Sequence, residues 1–529
     1  MKPRGRMWSA AALAALVVGV TPVARGEELS DKIDRLEGEL QEMKRELQRQ
    51  KDAQAQEAKE AEEQRAKQAP SQPPIEGAVA EEGTVPIYRQ VLDRVKVGGY
   101  GSTRFEASDL DNQKNSFVLR RFVLTTDANI APRLRSYFEL EFERFRKLEV
   151  EKNLEPDAGG LKAEQEIEAT NKSEIALEQA WVQYDIADWL KFRGGGVLVP
   201  LGRFNLNHDD NRWDLPRRSL VDRGVPVLPT TSAWDEVGMG FVGDVPLTDQ
   251  ALLNYEVYAV NGVSLDYNLE QIAQTRDPQR DKVVYEIELE PTTGGFAQDV
   301  KDAKAVAGRV AVSPALGHEI AGSWYYGRYT PDFLANEDLW ALGVDGRTGY
   351  GPFELEGEFV FTRFKGTHDV AVSLAETAQD DAAESADPGV ETEVEFELAE
   401  LAHNRYGYWL EARYRFWPAP LNRTFLGKPF ENPQLIAVFR PEQAWLDGLV
   451  DEAGFRGGQL TTFETSNRRI DRFTVGLAYR PVPLVVFQLA YEYTQTNSGQ
   501  SLASVTNYLP AGPTEDHVNT VMVGTAFGF

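Results

Sequence analysis

Residues 517–529 (HVNTVMVGTAFGF) end the chain on an alternating pattern that predicts a membrane-facing β-strand. Every second position of this stretch belongs to a set that is mostly apolar: Val521, Val523, Thr525, Phe527 and Phe529. Successive side chains of a strand point to opposite faces, so one face ends in two phenylalanines. Such a strand is expected at the end of a closed outer-membrane barrel, where lipid-facing and lumen-facing residues alternate. The alternative is a buried edge strand of a soluble sandwich.

The first 26 residues have the pattern of a secretory signal peptide. Lys2, Arg4 and Arg6 form a basic start, and residues 10–20 form an apolar run. Small residues at positions 24 and 26 predict cleavage before Glu27. The apolar run is shorter than the roughly 20 residues of a transmembrane helix. We therefore expect an exported chain without a mature transmembrane helix, and its zero cysteines fit an oxidising compartment.

Residues 27–68 predict a short α-helical coiled coil on the periplasmic side. The a and d positions of a heptad repeat are occupied by Leu29, Ile33, Leu36, Leu40, Met43 and Leu47. A solvated helix without a partner is the alternative interpretation. A proline-rich linker (APSQPP) then begins a connecting segment over residues 69–90.

Residues 91–529 predict an all-β transmembrane antiparallel β-barrel. Period-two alternation recurs in segments such as 95–106, 137–143, 253–259, 410–416 and 474–480. A soluble sandwich has the same pattern with the faces exchanged, but the signal peptide and the terminal phenylalanine favour the barrel. Strand-like runs predict about 16 strands, within a range of about 14 to 18.

The connections of this barrel are expected to alternate between short and long. Short turns are expected near residues 131–132, 187–188, 349–352 and 480–483. Long polar excursions are expected near residues 147–172, 265–304, 365–403 and 496–515.

Composition and motifs argue against several other functions. A net charge of −27 disfavours nucleic-acid binding, which needs a basic surface. The five histidines are scattered, and we find no nucleophile elbow or phosphate-binding loop, so no enzyme, cofactor or metal is expected. His208, Asp209 and Asp210 could bind a cation, although a solvated loop is the simpler interpretation. A hydrolase assembled from a distant Ser/His pair stays open as an alternative.

Three segments, in this order, resemble the opening strands of the phosphate-selective porin O and P family. They are residues 94–106 (RVKVGGYGSTRFE), residues 120–124 (RRFVL) leading to 136–143 (SYFELEFE), and residues 177–184 leading to 190–204 (LKFRGGGVLVPLGRF). The resemblance implies a trimeric 16-stranded outer-membrane barrel with a basic channel, a loop folded into that channel after residues 199–204, and in some members a short periplasmic coiled coil. It is weak over residues 265–304 and 365–403.

The charge of the barrel segment departs from that family. Residues 1–26 carry +4 and residues 27–86 carry −7, so residues 87–529 carry −24 of the total −27. Candidate basic residues for a constriction are Arg203, Arg212, Arg217, Arg218 and Arg223, interleaved with Asp209, Asp210, Asp214 and Asp222. Further candidate lumen-facing residues are Arg104, Arg133, Arg135, Arg309, Arg413 and Arg415, with Glu139, Glu141, Glu143 and Glu411 on the same faces. These residues either oppose each other across a channel or neutralise each other in salt bridges.

The expected function is an outer-membrane porin for passive diffusion of small hydrophilic solutes or ions, with phosphate and other anions as candidate solutes. The alternative is a structural anchor that holds a periplasmic stalk and transports little. Expected partners are membrane lipid and lipopolysaccharide, two further copies in a homotrimer, and the barrel-assembly machinery through Phe529. The acidic stretch 369–400 predicts a solvated extracellular loop or a divalent-cation bridge to lipopolysaccharide.

Overall fold

The computed structural model describes most of the chain beyond residue 93. The described residues are 94–110, 114–143, 148–157, 160–169, 174–222, 227–230, 233–276, 281–292, 301–332, 334, 336–370, 372–373, 376–377, 391–397, 401–456, 459–497 and 517–529. They belong to the second of two compact units, Val85–Phe529. The predicted signal peptide, coiled coil and linker lie outside the described residues. No helix among the described residues is long and apolar enough to cross a membrane.

Sixteen antiparallel strands form a closed ring, which confirms the predicted barrel and strand number. In pairing order, the ring strands are β1 (Val95–Ser108), β2 (Ser116–Ala131), β3 (Leu134–Glu143), β6 (Glu174–Ala187), β7 (Leu190–Leu198), β8 (Asp235–Pro246), β9 (Leu252–Val260), β12 (Ala305–Ala315), β13 (His318–Arg328), β14 (Asp338–Tyr350), β15 (Phe353–Phe364), β17 (Ala402–Phe416), β18 (Gln434–Arg456), β19 (Gln459–Val482), β20 (Val485–Thr496) and β21 (His517–Gly528). The last strand pairs with the first, from Tyr100↔Gly528 to Ser108↔Thr520, and this pairing closes the ring.

Five further strands lie in the predicted long excursions. A hairpin of β4 (Leu148–Asp157) and β5 (Gly160–Ala169) fills the first. A hairpin of β10 (Ser264–Arg276) and β11 (Asp281–Thr292) fills the second, and β16 (Glu391–Glu397) pairs in parallel with β11. The sequence predicted the places of these excursions but not the strands within them. Most of the acidic stretch 369–400 and of the excursion 496–515 lies outside the described residues.

The faces of the ring strands have the predicted orientation. On β21, Val521 and Val523 are 45% and 49% exposed, whereas Val518, Met522 and Ala526 are buried inside the ring. On β17, Leu410 and Tyr414 point outward while Glu411 is fully buried. Apolar residues outside and charged residues inside are the arrangement of a transmembrane barrel, since lipid solvates only the outer face.

The two ends of the ring have different connections. The turns predicted at β2–β3, β6–β7, β14–β15 and β19–β20 each contain two residues, which confirms them. The same end also carries the β8–β9, β12–β13 and β17–β18 connections, of which the last spans residues 417–433. Short turns mark the periplasmic end of such barrels. This end is called the short-turn end below.

Candidate functional site

Residues 199–234, between β7 and β8, form an in-folded segment that lies inside the ring. Its two ends meet where the Val199 N–H donates to the Trp234 carbonyl at 3.0 Å. The Asn205 side chain spans the same two residues, since its amide donates to the Val199 carbonyl and its oxygen accepts the Trp234 N–H, each at 2.8 Å. These contacts bring the two ends of the segment together at the wall of the ring.

The beginning of the in-folded segment is fixed to strands β13 to β15. Gly202 has a φ of 72°, and a Cβ on it would lie 2.7 Å from the Glu358 carboxylate. That carboxylate accepts the backbone N–H groups of Arg203 at 2.5 Å and Phe204 at 2.6 Å. The Arg203 guanidinium then pairs with Glu356 and, at 2.7 Å, with Glu319. Glycine at position 202 is what lets the chain approach Glu358 so closely.

The far part of the segment is fixed to strands on the other side of the ring. The Arg217 guanidinium pairs with Glu106 of β1 and, at 3.0 Å, with Glu492 of β20. The Arg440 guanidinium of β18 donates to the Arg217 carbonyl at 2.7 Å. The Glu442 carboxylate accepts the Leu220 N–H at 3.0 Å.

These contacts show that the segment crosses the interior of the barrel. It leaves the ring between β7 and β8, yet it contacts β13 to β15 and also β18, β20 and β1. A chain outside the ring could not reach inward side chains of such widely separated strands. The structure therefore agrees with the expectation that this loop folds into the barrel.

Asp210 is an electrostatic centre of the segment. Its carboxylate accepts a hydrogen bond from the Ser102 hydroxyl at 2.6 Å and lies within 4 Å of the Arg120, Arg121 and Arg218 guanidinium groups. Burial alone would raise its pKa, but the three positive charges outweigh burial and hold the pKa well below its usual range. Asp210 therefore stays ionised and joins the segment to β1 and β2.

His208 carries a positive charge within the segment. Its Nδ1 lies 2.8 Å from the Asn205 carbonyl and its Nε2 lies 3.3 Å from the Glu178 carboxylate. Both partners accept hydrogen bonds, so the ring donates through both nitrogens. Burial alone would lower the pKa of His208, but the Glu178 charge overcomes burial and raises the pKa to about 9.

Most of the arginines predicted to line the barrel are found in ion pairs. Arg104 pairs with Glu106 at 3.0 Å, Arg135 with Asp127 at 2.7 Å, and Arg309 with Asp345 at 2.8 Å. The other predicted arginines pair as Arg212–Asp209, Arg218–Asp222, Arg413–Glu411 and Arg415–Glu354, although Glu354 was not predicted. Their charges are therefore largely neutralised locally, as in the salt-bridge interpretation of the sequence.

The predicted carboxylates lie close together on β3. Glu141 and Glu143 accept hydrogen bonds from Arg121 at 3.1 and 2.7 Å. Glu139 accepts instead from the amide of Gln179 at 2.6 Å and from the Tyr137 hydroxyl at 3.2 Å. Arg121 was seen in the sequence only as part of a motif, although it is the ionic partner of two of these residues.

Two predicted arginines are not found among these pairs. Arg133 does not line the interior, because it occupies the two-residue turn between β2 and β3 with a φ of 64° and is exposed. Its guanidinium donates to the Ile186 carbonyl of the neighbouring strand. The sequence placed this turn one residue too early, which put Arg133 on a strand. Arg223 lies outside the described residues.

Several inward-facing arginines were missed from the sequence. Arg440 and Arg472 are fully buried, next to the outward-facing Phe439 and Phe473. Arg480 donates to the Asp214 carboxylate at 2.7 Å. Their alternation with outward aromatic residues was a usable signal, because every second residue of a ring strand faces inward.

A cavity of about 1000 Å³ opens beneath the in-folded segment, toward the short-turn end. Its charged lining residues are Arg203, Arg212, Arg347, Arg413, Arg415, Arg480, Glu139, Asp209, Asp214, Glu354 and Glu356. Arg347 is exposed, and it differs from the other lining arginines because it makes no ion pair with any residue that the structure describes. The described residues contain no group of three or more His, Asp or Glu side chains that could hold a metal ion.

Comparison with known proteins gives a short sequence match and several similar barrels. No family model matches the chain. A protein of Aquifex aeolicus described as uncharacterized is 28% identical over 179 residues, 34% of each chain, so the match spans about a third of that relative. An anion-selective porin from Comamonas acidovorans has a TM-score of 0.44 at 10% identity and covers 82% of this chain and 99% of its own. The channel DcaP of Acinetobacter baumannii has a TM-score of 0.39 at 10% identity, covering 82% and 97%.

Proposed function

We propose that the protein is an outer-membrane channel that passes small hydrophilic solutes or ions by passive diffusion. The observation that carries this proposal is the charged cavity of about 1000 Å³ inside a closed ring with an apolar outer wall. A ring of this strand number is wide enough to leave an aqueous lumen that its own side chains do not fill. The in-folded segment narrows that lumen and would act as the constriction.

The charges of the cavity favour weak selectivity. Its lining has six arginines and five carboxylates, so neither sign forms a ring of its own. Arg413 contacts Glu354 and Glu356 at 2.7 and 2.6 Å, and such pairs attract neither ion strongly. We propose a mild preference for anions that comes from Arg347, with phosphate as one candidate solute among several. Assembly as a homotrimer, with a coiled coil over residues 27–68, belongs to the same proposal.

One observation favours the alternative of a structural anchor with little transport. The in-folded segment covers inward arginines of the wall, among them the fully buried Arg440 and Arg472, which donate to the carbonyls of Arg217 and Arg218. A lumen that the in-folded segment fills over its whole width would conduct ions poorly. The two functions differ in ion conductance, which can be measured directly.

Planar-bilayer recording of the purified, heat-modifiable barrel separates them. The channel proposal expects discrete conductance steps in KCl and a small reversal potential across a salt gradient. Folded protein that inserts but adds no conductance above the lipid background would favour the anchor. A large reversal potential of either sign would contradict weak selectivity and leave the channel itself intact.

A further inference from the structure

We propose that residues 417–433, the connection between β17 and β18, bind membrane lipid at the short-turn end. This rim connection would place Phe425 among the acyl chains of one leaflet and Arg423 and Lys428 at the lipid phosphates. The proposal rests on the barrel spanning a membrane, and it does not depend on what the barrel conducts.

The rim connection is long for the end of the ring at which it lies. The other described connections at that end contain two to five residues. A turn of two residues is enough to join antiparallel neighbours, so the additional residues are not needed to form the ring. These residues are therefore available for a contact outside the barrel.

The rim connection has a defined backbone. A 3-10 helix covers Ala419–Arg423, and the Thr424 carbonyl accepts the Lys428 N–H at 2.9 Å. The indole of Trp417 donates to the Asn422 side chain at 2.6 Å. Because these bonds hold the backbone on both sides of Phe425, the position of its side chain is set by the fold.

Tyr479 contacts the rim connection from the lipid-facing side of the wall. The ring of Tyr479 faces outward, since its strand neighbours Ala478 and Arg480 are buried inside. Its hydroxyl donates to the Leu426 carbonyl, and its ring stacks on Trp417 with centroids 6.1 Å apart. The part of the connection around Trp417 and Leu426 therefore lies against the outer wall, whereas Asn432 near its end lines the cavity.

Phe425 is presented to the surroundings at this position. It precedes the anchored Leu426, and its side chain is 81% exposed. A phenylalanine held in water by a fixed backbone is unfavourable, whereas aromatic residues are favoured at the interfaces of membrane barrels. Because the next residue, Leu426, is bonded to the outward-facing Tyr479, Phe425 belongs to the part of the connection that lies at the outer wall.

The charges of the rim connection suit an anionic lipid surface. Arg423 and Lys428 are exposed and make no ion pair with residues in the described part of the chain. Glu431 is the one carboxylate of the connection, which leaves a net charge of +1. Two cations beside an apolar anchor match a phospholipid, with phosphate above and acyl chains below. Contact with a second protein copy is the competing outcome, because aromatic residues and arginine are also enriched in interfaces between subunits, and the test below separates the two.

A single fluorescent probe tests the proposal. The chain has no cysteine, so Phe425→Cys accepts one thiol-reactive fluorophore in the full-length protein. Asp249→Cys, in the exposed polar β8–β9 connection at the same end, is the matched control. The labelled proteins are measured in vesicles of phosphatidylcholine and phosphatidylglycerol. We expect nitroxide-labelled lipid to quench the probe at 425 at least about twofold more than the probe at 249. We expect aqueous iodide to quench the probe at 425 less than the probe at 249.

Three other results would overturn the proposal. Equal quenching by iodide at positions 425 and 249 would place Phe425 in water. Protection of the probe from both iodide and nitroxide lipid would indicate a contact with a second copy. The third result concerns the two cations. If quenching by nitroxide-labelled lipid is the same in phosphatidylcholine alone as in the mixture, for both the labelled protein and its Arg423→Gln/Lys428→Gln variant, the two cations have no role in lipid binding. Conductance recorded from the same vesicles reports separately on the channel.

Discussion

Arg217 joins the in-folded segment to the barrel wall through charges that are almost completely shielded from water. Its side chain is 4% exposed and pairs with Glu106 and Glu492. Burying charges is costly, and the cost is offset only while each has its partner. Residues of this kind fix the path of the segment, and they contribute little to the field that a passing ion would meet.

Replacing Arg217 by alanine is expected to destabilise the barrel by about 3 kcal/mol, because Glu106 and Glu492 each lose one of two buried ionic partners and keep only Arg104 and Arg472. The matched control is Arg212→Ala, since the Arg212 side chain is 57% exposed and pairs with Asp209. An exposed pair of this type contributes about 0–1 kcal/mol. Urea unfolding of the folded barrel, followed by its heat-modifiable mobility, measures both variants. Equal stability of the two would mean that the segment is not held through Arg217.

At the scale of an element, β21 decides whether the ring closes. The Phe529 N–H donates to the Gly99 carbonyl at 3.0 Å, and the Gly99 N–H donates to the Phe529 carbonyl at 3.2 Å. The Phe529 ring stacks against Phe122 at 6.1 Å and covers Gly99, where an added Cβ would approach it to 2.9 Å. The last residue of the chain is therefore part of the seam between β1 and β21.

Deleting Phe529 is expected to sharply reduce the folded, heat-modifiable protein in the outer membrane. Two backbone hydrogen bonds and one aromatic contact are lost, a destabilisation on the order of 2–4 kcal/mol. If the assembly machinery recognises Phe529, the deletion would reduce the amount of folded protein further. Phe529→Tyr keeps the bonds and the ring and is expected to assemble at the level of the unaltered chain. Normal amounts of the truncated protein would contradict the assigned role of the seam.

The elements show which features of this fold can be read from a sequence. Period-two alternation predicts the strand faces and the closing strand, because lipid requires apolar residues on the outer face of the ring. The short breaks between alternating runs predict the two-residue turns. Strands β10, β11 and β16 lie outside the ring although they alternate as well, for example Val394 and Phe396 between the glutamates of β16. Alternation alone therefore does not distinguish a strand of the ring from a strand of an excursion. The partners of Arg203 and Arg217 could not be predicted either, because Glu356 and Glu106 lie more than 100 residues away in the chain.

At the scale of the whole molecule, the ring is complete without the N-terminal region. All sixteen strands of the ring lie in the unit Val85–Phe529. Removing residues 27–68 is therefore expected to leave a barrel that inserts and conducts, with trimers that separate at lower temperature if the coiled coil forms. Heat-modifiable mobility, cross-linking and bilayer recording measure the three properties. Loss of insertion would mean that this region is needed for the barrel to fold.

The charge that selects ions is expected to come from the one cavity arginine without an ion pair among the described residues. The other five lining arginines contact carboxylates, so Arg347 leaves a net positive charge exposed to water in the cavity. Replacing Arg347 by alanine is expected to shift the reversal potential toward cations, with the shift reduced at high salt by screening. Arg347→Lys keeps the charge and is expected to keep the reversal potential. Both variants should unfold at the same urea concentration as the unaltered protein, because no ion pair to a described residue is broken. An unchanged reversal potential in the alanine variant would place the selective charge elsewhere in the channel.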